Sequence, residues 1–371
     1  MQYRILILGA SYGSLLGTKL LMAGHHVTLV CTAPTARLIN REGTRVRFPL
    51  RGRPTPLEIA SRDLPGELVA QSPAEVDPRS YDLIVLGMQE SQYGGDGVRE
   101  LMRRIARSRK PCLAIMNMPP LPYLRRLPEL FVDALESCYT DPVLWDGFDP
   151  ALVTLASPDP QAFRPPEAGK NILQVGLPTN FKAARFEHEE HNAILRRLEA
   201  DIEAARHEVD GEALEIPVKL KVHDSLFVPL AKWPMLITGN YRCVRRNDMI
   251  AIRDAVHTDI ERSRRIYEWT AGLCMALGAD AADLVPFDKY AKAAESLGKP
   301  SSAARALFGG AKHIERVDSL VQRIAWQKGT ECGVLEEING LVDARLEKNR
   351  SRPAVEEEKP AFVFMTEPVP A

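Results

Sequence analysis

The first thirty residues constrain the fold of this chain most: MQYRILILGASYGSLLGTKLLMAGHHVTLV. Residues 3–8 form a short apolar run, rich in Ile and Leu, that stops at Gly9. That is the pattern of a strand buried on both faces. Residues 14–23 then carry Leu15, Leu16, Leu20 and Leu21 at helical spacing. Gly24-His25-His26 breaks the helix, and residues 27–30 read as a second strand. Strand, Gly-rich turn, helix, strand is one βαβ unit, the opening of a dinucleotide-binding domain.

A pyrophosphate can lie against a helix N-terminus, where unpaired N–H groups and the helix dipole favour negative charge. Side chains at the turn would hold it off. Gly9 would allow the tight turn, Gly13 the close approach, and Gly17 the packing of helix on strand. The usual pattern is G-x-G-x-x-G. Here it is shortened to Gly9-Ala-Ser-Tyr-Gly13, with Ser11 where the second glycine is expected and Tyr12 before the third. Two other readings fit less well. The four-residue spacing of Gly9, Gly13 and Gly17 also suits a membrane helix-packing face, but Lys19, Ser11, Tyr12, Ser14 and the short length oppose a membrane span. A signal peptide would need a charged start, a longer apolar core and a small-residue cleavage site.

With 371 residues the chain suits two or three domains of ~150 residues each. The 48 Lys and Arg balance 49 Asp and Glu to a net charge of −1, so there is no electrostatic reason to expect nucleic acid or an anionic membrane. Cys31, Cys112, Cys138, Cys243, Cys274 and Cys332 lie far apart with no C-x-x-C, which excludes the usual zinc and thioredoxin-like spacings. Free thiols in a reducing compartment follow. No apolar stretch approaches the ~20 residues of a spanning helix. The expectation is a soluble cytoplasmic protein that binds neither metal, membrane nor nucleic acid.

Enzymes that prefer NAD usually carry an acid near the end of the second strand, to hold the ribose 2′-hydroxyl. Here that position reads Cys31-Thr-Ala-Pro-Thr-Ala-Arg37. Thr32, Thr35 and Arg37 could instead accept a 2′-phosphate, which favours NADP; Arg37 could equally be an ordinary exposed helix residue. Residues 41–80 read as short strands and turns. Residues 81–87 (YDLIVLG) and 111–116 (PCLAIM) are two more buried strands. Ligands of open α/β sheets bind off the carboxyl ends of strands, so Gln89, Gln92 and Asn117 are site candidates by position, although a polar residue there is often only loop chemistry.

Residues 187–208 read as a charged amphipathic helix. Its His188-Glu-Glu-His191 lacks the H-E-x-x-H spacing that sets two imidazoles one turn apart, and fits a solvated face. Residues 215–218 look like a last short strand. Beyond residue 219 the pattern turns helical, over 224–238, 249–277, 284–294, 302–328 and 335–349. Three units are therefore expected: a Rossmann-like α/β domain over 1–218, a helical domain over 219–350, and a Pro-rich acidic tail over 351–371 that is disordered or docks elsewhere.

This order of parts resembles the ketopantoate reductase (2-dehydropantoate 2-reductase) family, of which the chain would be a divergent member. The resemblance rests on the opening Gly-Ser-Leu-Leu-Gly-Thr-Lys-Leu and Ala-Gly-His-His-Val-Thr-Leu-Val, the strand ending at Asn117, and Leu230-Ala-Lys-Trp-Pro-Met-Leu-Ile-Thr-Gly-Asn240. It spans roughly residues 1–330. It implies an N-terminal Rossmann-like dinucleotide-binding domain followed by an all-α 6-phosphogluconate dehydrogenase-like C-terminal domain, NADPH as cofactor, a 2-oxo acid or related carbonyl as substrate, and a homodimer. The family has a catalytic Lys at the start of the helical domain with an Asn eight positions on; Lys232 and Asn240 repeat that spacing. A later Ser-Ser pair and an essential Glu look like Ser301-Ser302 and Glu315, with Asp318 close by in register.

By that resemblance Lys232, beside apolar Trp233 and Pro234, would protonate the alkoxide formed as hydride arrives, with Glu315 orienting it. Asn117 and Asn240 would hold substrate hydroxyls or the nicotinamide amide, and Ser301 or Ser302 the substrate carboxylate. Gly9, Ser11, Tyr12, Gly13, Thr32, Arg37, Gln89 and Asn117 would line the cofactor. The lysine could otherwise be a snorkelling side chain on an amphipathic helix. Departures fall at the same site. Gln89 stands where the family commonly has Lys, Leu236 where it has a second Asn, and Met116-Asn117-Met118 where it has Q-N-G. They imply an altered substrate in a larger or more apolar pocket, or lost catalysis. Alternatives are an opine or hydroxyacid dehydrogenase, or a non-catalytic sensor of NADP.

Overall fold

The computed structural model describes residues 2–351; apart from Ser351, the expected tail lies outside the described residues. The opening pattern becomes β1 (Arg4–Leu8), α1 (Gly13–Met22) and β2 (His26–Val30). After α2 (Ala33–Glu42) come β3 (Leu68–Gln71), β4 (Leu83–Leu86), α3 (Val98–Ser108), β5 (Cys112–Ile115), β6 (Val153–Ser157), β7 (Phe181–Ala184), α4 (Glu189–Ala204) and β8 (Leu220–His223). These strands build one eight-stranded sheet in the order β8-β7-β6-β5-β4-β1-β2-β3. β1 pairs in parallel with β2 on one side and β4 on the other. The order therefore reverses at β1, and the carboxyl end of β1 is the switch point where ligands of such sheets bind. Beyond β6 the direction changes: β7 runs antiparallel to β6, and β8 parallel to β7.

Alternate residues of β1 face opposite cores. Ile5 and Ile7 join a cluster with Leu15, Leu20 and Leu195 on the face covered by α1 and α4. Leu6 and Leu8 join a second cluster with Leu101 and Ile105 of α3, and this core continues without a break into the helical half, through Trp233, Val256 and Leu320 to Leu346. A second sheet, Leu57–Ala60, Arg45–Phe48, Ile172–Leu177 and Gln161–Phe163 in that order, unites an insertion after α2 with one after β6.

Local chemistry trims several expected elements. Residues 215–218 are not a strand. His207–Val209 and Glu212–Leu214 form a hairpin turned at Asp210-Gly211, both at positive φ, and α4 ends before it. β8 lies just past the expected boundary at 218, so the sheet closes before the chain turns helical at residue 228. The stretch 249–277 splits into α6 (Ile252–His257) and α7 (Ile260–Ala276), because Asp259 caps the second by accepting from the Arg262 amide at 2.9 Å. The next helix, α8 (Phe287–Ala294), starts only after Pro286. The stretch 302–328 breaks at Gly309-Gly310 into α9 (Ser302–Phe308) and α10 (Val317–Gln327), and α11 (Gly333–Arg350) closes the domain.

Before them, residues 228–243 form one helical rod of changing pitch: a 3₁₀ turn Val228–Ala231, the α-helical α5 (Lys232–Met235), a π segment Leu236–Asn240 and a 3₁₀ turn Tyr241–Cys243. Pro234 has no N–H for the carbonyl of Leu230, which instead receives a long contact from the Cys274 thiol at 3.9 Å. Among the described residues no helix is long and apolar enough to cross a membrane.

Candidate functional site

The turn after β1 is tight for reasons visible in its packing. Gly9 has φ +98°, and a Cβ there would lie 2.7 Å from Met88 Cγ and 2.9 Å from the Gly87 carbonyl, at the neighbouring end of β4. A Cβ on Gly13 would meet Ile7 Cγ2 at 2.6 Å, and one on Gly17 would touch Val27 at 3.5 Å. Gly9 and Gly13 thus have no room for a side chain, whereas a methyl on Gly17 would make only ordinary contact, so the packing expected of Gly17 does not require glycine. The shortened loop changes which donors are available. The first amides of α1 are already committed: Gly13 N donates to Gly9 O, Ser14 N to Ser11 O and Leu15 N to Tyr12 O, at 3.0–3.3 Å. The amides of Ala10, Ser11 and Tyr12 donate to no group among the described residues. The open donors lie in the turn itself, not in the first turn of the helix as the sequence suggests. Uncommitted N–H groups in succession are donors that an anion can use. Tyr12 packs edge-on against Phe181, and its hydroxyl donates to the Pro160 carbonyl at 2.6 Å.

At the end of β2, Thr32 and Thr35 share a hydroxyl contact of 3.0 Å, and Arg37 points from the exposed side of α2. Sequence reasoning missed Arg164, which follows the strand Gln161–Phe163 and comes beside Cys31. Burial pushes the Cys31 thiol up to about 11, with Arg164 opposing the rise. The half-buried guanidinium makes no hydrogen bond or ion pair among the described residues. Only the tertiary fold brings it to β2, so no local signal pointed to it.

At the ends of β4 and β5 the helical half closes on the sheet. Glu315, buried just before α10, accepts from Asn117 Nδ2 at 3.1 Å and more weakly from the Glu90 amide at 3.4 Å. Burial pushes its carboxyl up to about 7. The Asn117 amide and the Glu90 N–H oppose the rise, and the charge of Glu90 adds to it. Glu90 is itself buried and accepts from both the amide and hydroxyl of Thr140 at 2.9 Å. Tyr241, at the end of the mixed-pitch rod, donates to the Glu315 carbonyl at 2.5 Å and accepts from Val317 N at 3.1 Å, fixing this corner. Asp318 goes elsewhere, onto Arg316 at 3.0 Å. Gln89 is exposed at the rim, its amide donating to Gln92 Oε1 at 3.1 Å.

Lys232 opens α5 in the helical half. Its expected orienting partner, Glu315, is not the group it meets. The ammonium donates to Asp159 Oδ1 at 3.1 Å and to the Pro158 carbonyl at 3.2 Å, both just after β6. Asn240 ends the π segment half-buried, and its carbonyl accepts from the Ser301 hydroxyl at 2.7 Å. That hydroxyl also accepts from Ala304 N at 3.1 Å and so caps α9, which leaves it buried and committed; Ser302 is exposed. The fold thus gathers two groups: the turn with Tyr12, joined through the Pro158–Pro160 loop to Asp159 and Lys232, and the buried Glu315–Asn117–Glu90 corner.

No protein-family model matches the sequence, and no curated protein matches it. Solved structures do. D-mandelate dehydrogenase, determined with NADH and anilino(oxo)acetate, is similar with a TM-score of 0.63 at 14% identity, over 94% of this chain and 100% of that one. The 2-dehydropantoate 2-reductase of Methylococcus capsulatus is similar with a TM-score of 0.64 at 15% identity, over 95% of this chain and 98% of that one. The dimeric ketopantoate reductase of Staphylococcus aureus is similar with a TM-score of 0.59 at 11% identity, over 93% and 99%. The likeness is one of fold, a Rossmann-like domain followed by a helical one.

Proposed function

We propose that this chain is a nicotinamide-dependent reductase of a 2-oxo acid or related carbonyl, with NADPH as the preferred cofactor and Lys232 as the proton donor. The observation that carries the reading is that a turn with three uncommitted amides at the switch point of the sheet is joined to Lys232 through one loop, Tyr12 holding the Pro160 carbonyl and Lys232 holding Asp159, on a fold shared with enzymes of that class. The residues present fit a dinucleotide: the amides of Ala10, Ser11 and Tyr12 would hold its phosphates, and Thr32 and Arg164 its adenosine end. A reduced nicotinamide supplies the hydride when bound.

The chain's own part is to bind, orient and protonate. Lys232 gives a proton from its ammonium to the carbonyl oxygen as charge develops there, and regains one from solvent. Asn117, held by Glu315, presents its remaining amide functions at the end of β5. Asn240 and Ser302 would contact the substrate. A homodimer is part of this proposal, by likeness to the dimeric staphylococcal protein. Titration with NADPH and NADH, followed by tryptophan fluorescence, tests the cofactor; a screen of 2-oxo acids for oxidation of the bound nucleotide tests the reaction. Tight NADPH binding with weak NADH binding is expected. Binding of neither would sink the reading.

A further inference from the structure

We infer that Asp159 is the positioning residue of Lys232, holding its ammonium in place while one proton stays free for the substrate oxygen. The inference rests on the reading of Lys232 as proton donor.

The geometry supports it in three ways. First, an ammonium has three protons. Asp159 Oδ1 and the Pro158 carbonyl take two of them, at 3.1 and 3.2 Å. Second, the carboxylate sits on stiff backbone. It lies in Pro158-Asp159-Pro160 directly after β6. Proline fixes its own φ and restricts the residue before it, and the Pro160 carbonyl is pinned by the Tyr12 hydroxyl at 2.6 Å. Third, the pair is largely buried, with Lys232 17% and Asp159 19% exposed. A buried pair of this kind is weak evidence for stability, since desolvation offsets much of the attraction. Its value is in fixing a charge where the chemistry needs one.

Among the described residues, Lys232, Lys182 with Nζ 3.5 Å from Oδ2, and the Tyr12 phenol face the Asp159 carboxylate. Burial works to raise the carboxyl, but the two lysines outweigh it and hold it below its ordinary value, so it stays ionised. During reduction the hydride adds to the carbonyl carbon, the C=O π pair moves to oxygen, and a proton leaves Lys232 Nζ for that oxygen. The amine left behind keeps hydrogen bonds to Asp159 and Pro158 and regains a proton from solvent.

The test uses the full chain with NADPH and whichever 2-oxo acid it turns over. Asp159→Asn should lower kcat by about tenfold or more with little change in the KM for NADPH. The KM for the 2-oxo acid should also stay within about twofold, because the loss falls on the transfer step and not on binding. Asp159→Glu, which keeps the charge and displaces the oxygen by one methylene, should show an intermediate kcat, and serves should Asp159→Asn not fold. A merely structural role would show in stability and in KM as well as in kcat. If Lys232→Ala is inactive while Asp159→Asn and Asp159→Glu keep the native kcat, the assignment of Asp159 is overturned and the reading of Lys232 stands. If Lys232→Ala retains turnover, or the chain reduces no 2-oxo acid, that reading fails and Asp159 falls with it.

Discussion

Replacing Glu315 by Gln tests the buried corner quantitatively. The carboxyl is pushed from its ordinary 4.5 up to about 7, chiefly by burial. Each unit corresponds to 1.36 kcal/mol, so ionising this group in the folded protein costs about 3 kcal/mol. The sign follows from the raised value. Below about pH 4.5 the group is protonated folded and unfolded alike, and the cost is absent. Stability is then lost as pH rises toward 7, and the full cost is present above it. The Gln variant carries no such charge. It has a fixed cost of about 1–2 kcal/mol instead, because both carboxylate oxygens accept hydrogen bonds, from Asn117 and the Glu90 amide, and an amide NH₂ must face one of those donors. Urea unfolding followed by fluorescence of buried Trp145 and Trp233, in steps from about pH 4.5 to 8, separates the two effects. The stability of E315Q relative to the native chain should improve by about 3 kcal/mol across that range. Titration of Glu90 is common to both proteins and largely cancels. A difference that stays constant with pH would refute the reasoning.

Further outcomes are expected. Lys232→Ala should lower turnover by at least about a hundredfold while NADPH affinity, read by fluorescence, stays within about twofold; unchanged turnover would remove Lys232 from the mechanism. Arg164→Gln should weaken NADPH about tenfold and leave NADH nearly unchanged, since a charge-assisted contact contributes about 1.5–3 kcal/mol; equal loss for both nucleotides would refute a role at the 2′-phosphate. Gly13→Ala forces a methyl to 2.6 Å from Ile7 Cγ2 and should cost about 1–3 kcal/mol, seen as a Tm lower by several degrees; an unchanged Tm would show that the turn can give way.

Much of the scaffold was legible because its signals are local. The apolar runs that became β1, β4 and β5 are buried on both faces, so they read as continuous hydrophobic strands. The helix breaks at Asp259, Pro286 and Gly309-Gly310 also carried local signals, yet apolar spacing continues across them and masks the stops. The candidate site was legible as single residues and not as partners: the structure brings Glu315 rather than Asp318 to Asn117, and sets Lys232 on Asp159. Asp159 and Arg164 were invisible, because each lies in a Pro-rich loop and gains its meaning only from a partner far along the chain. The free amides of the turn were hidden for a different reason. A glycine pattern states that backbone comes close, but not which N–H groups the loop has already used.

The second sheet has a consequence for how the chain is made. Arg45, Val46 and Arg47 pair in parallel with Ile172, Leu173 and Gln174, and the edge of the main sheet waits for Leu220–His223. During synthesis the opening βαβ unit leaves the ribosome long before the strand that covers its neighbour exists. The nascent Rossmann half therefore carries Arg45–Phe48 with one edge unpaired, held only by its hairpin partner Leu57–Ala60, until residue 177 emerges. Such non-local pairings slow folding and leave strand edges open to wrong partners. Fragments ending between residues 60 and 172 are expected to need chaperones or to aggregate, whereas fragments extending past His223 can close both sheets.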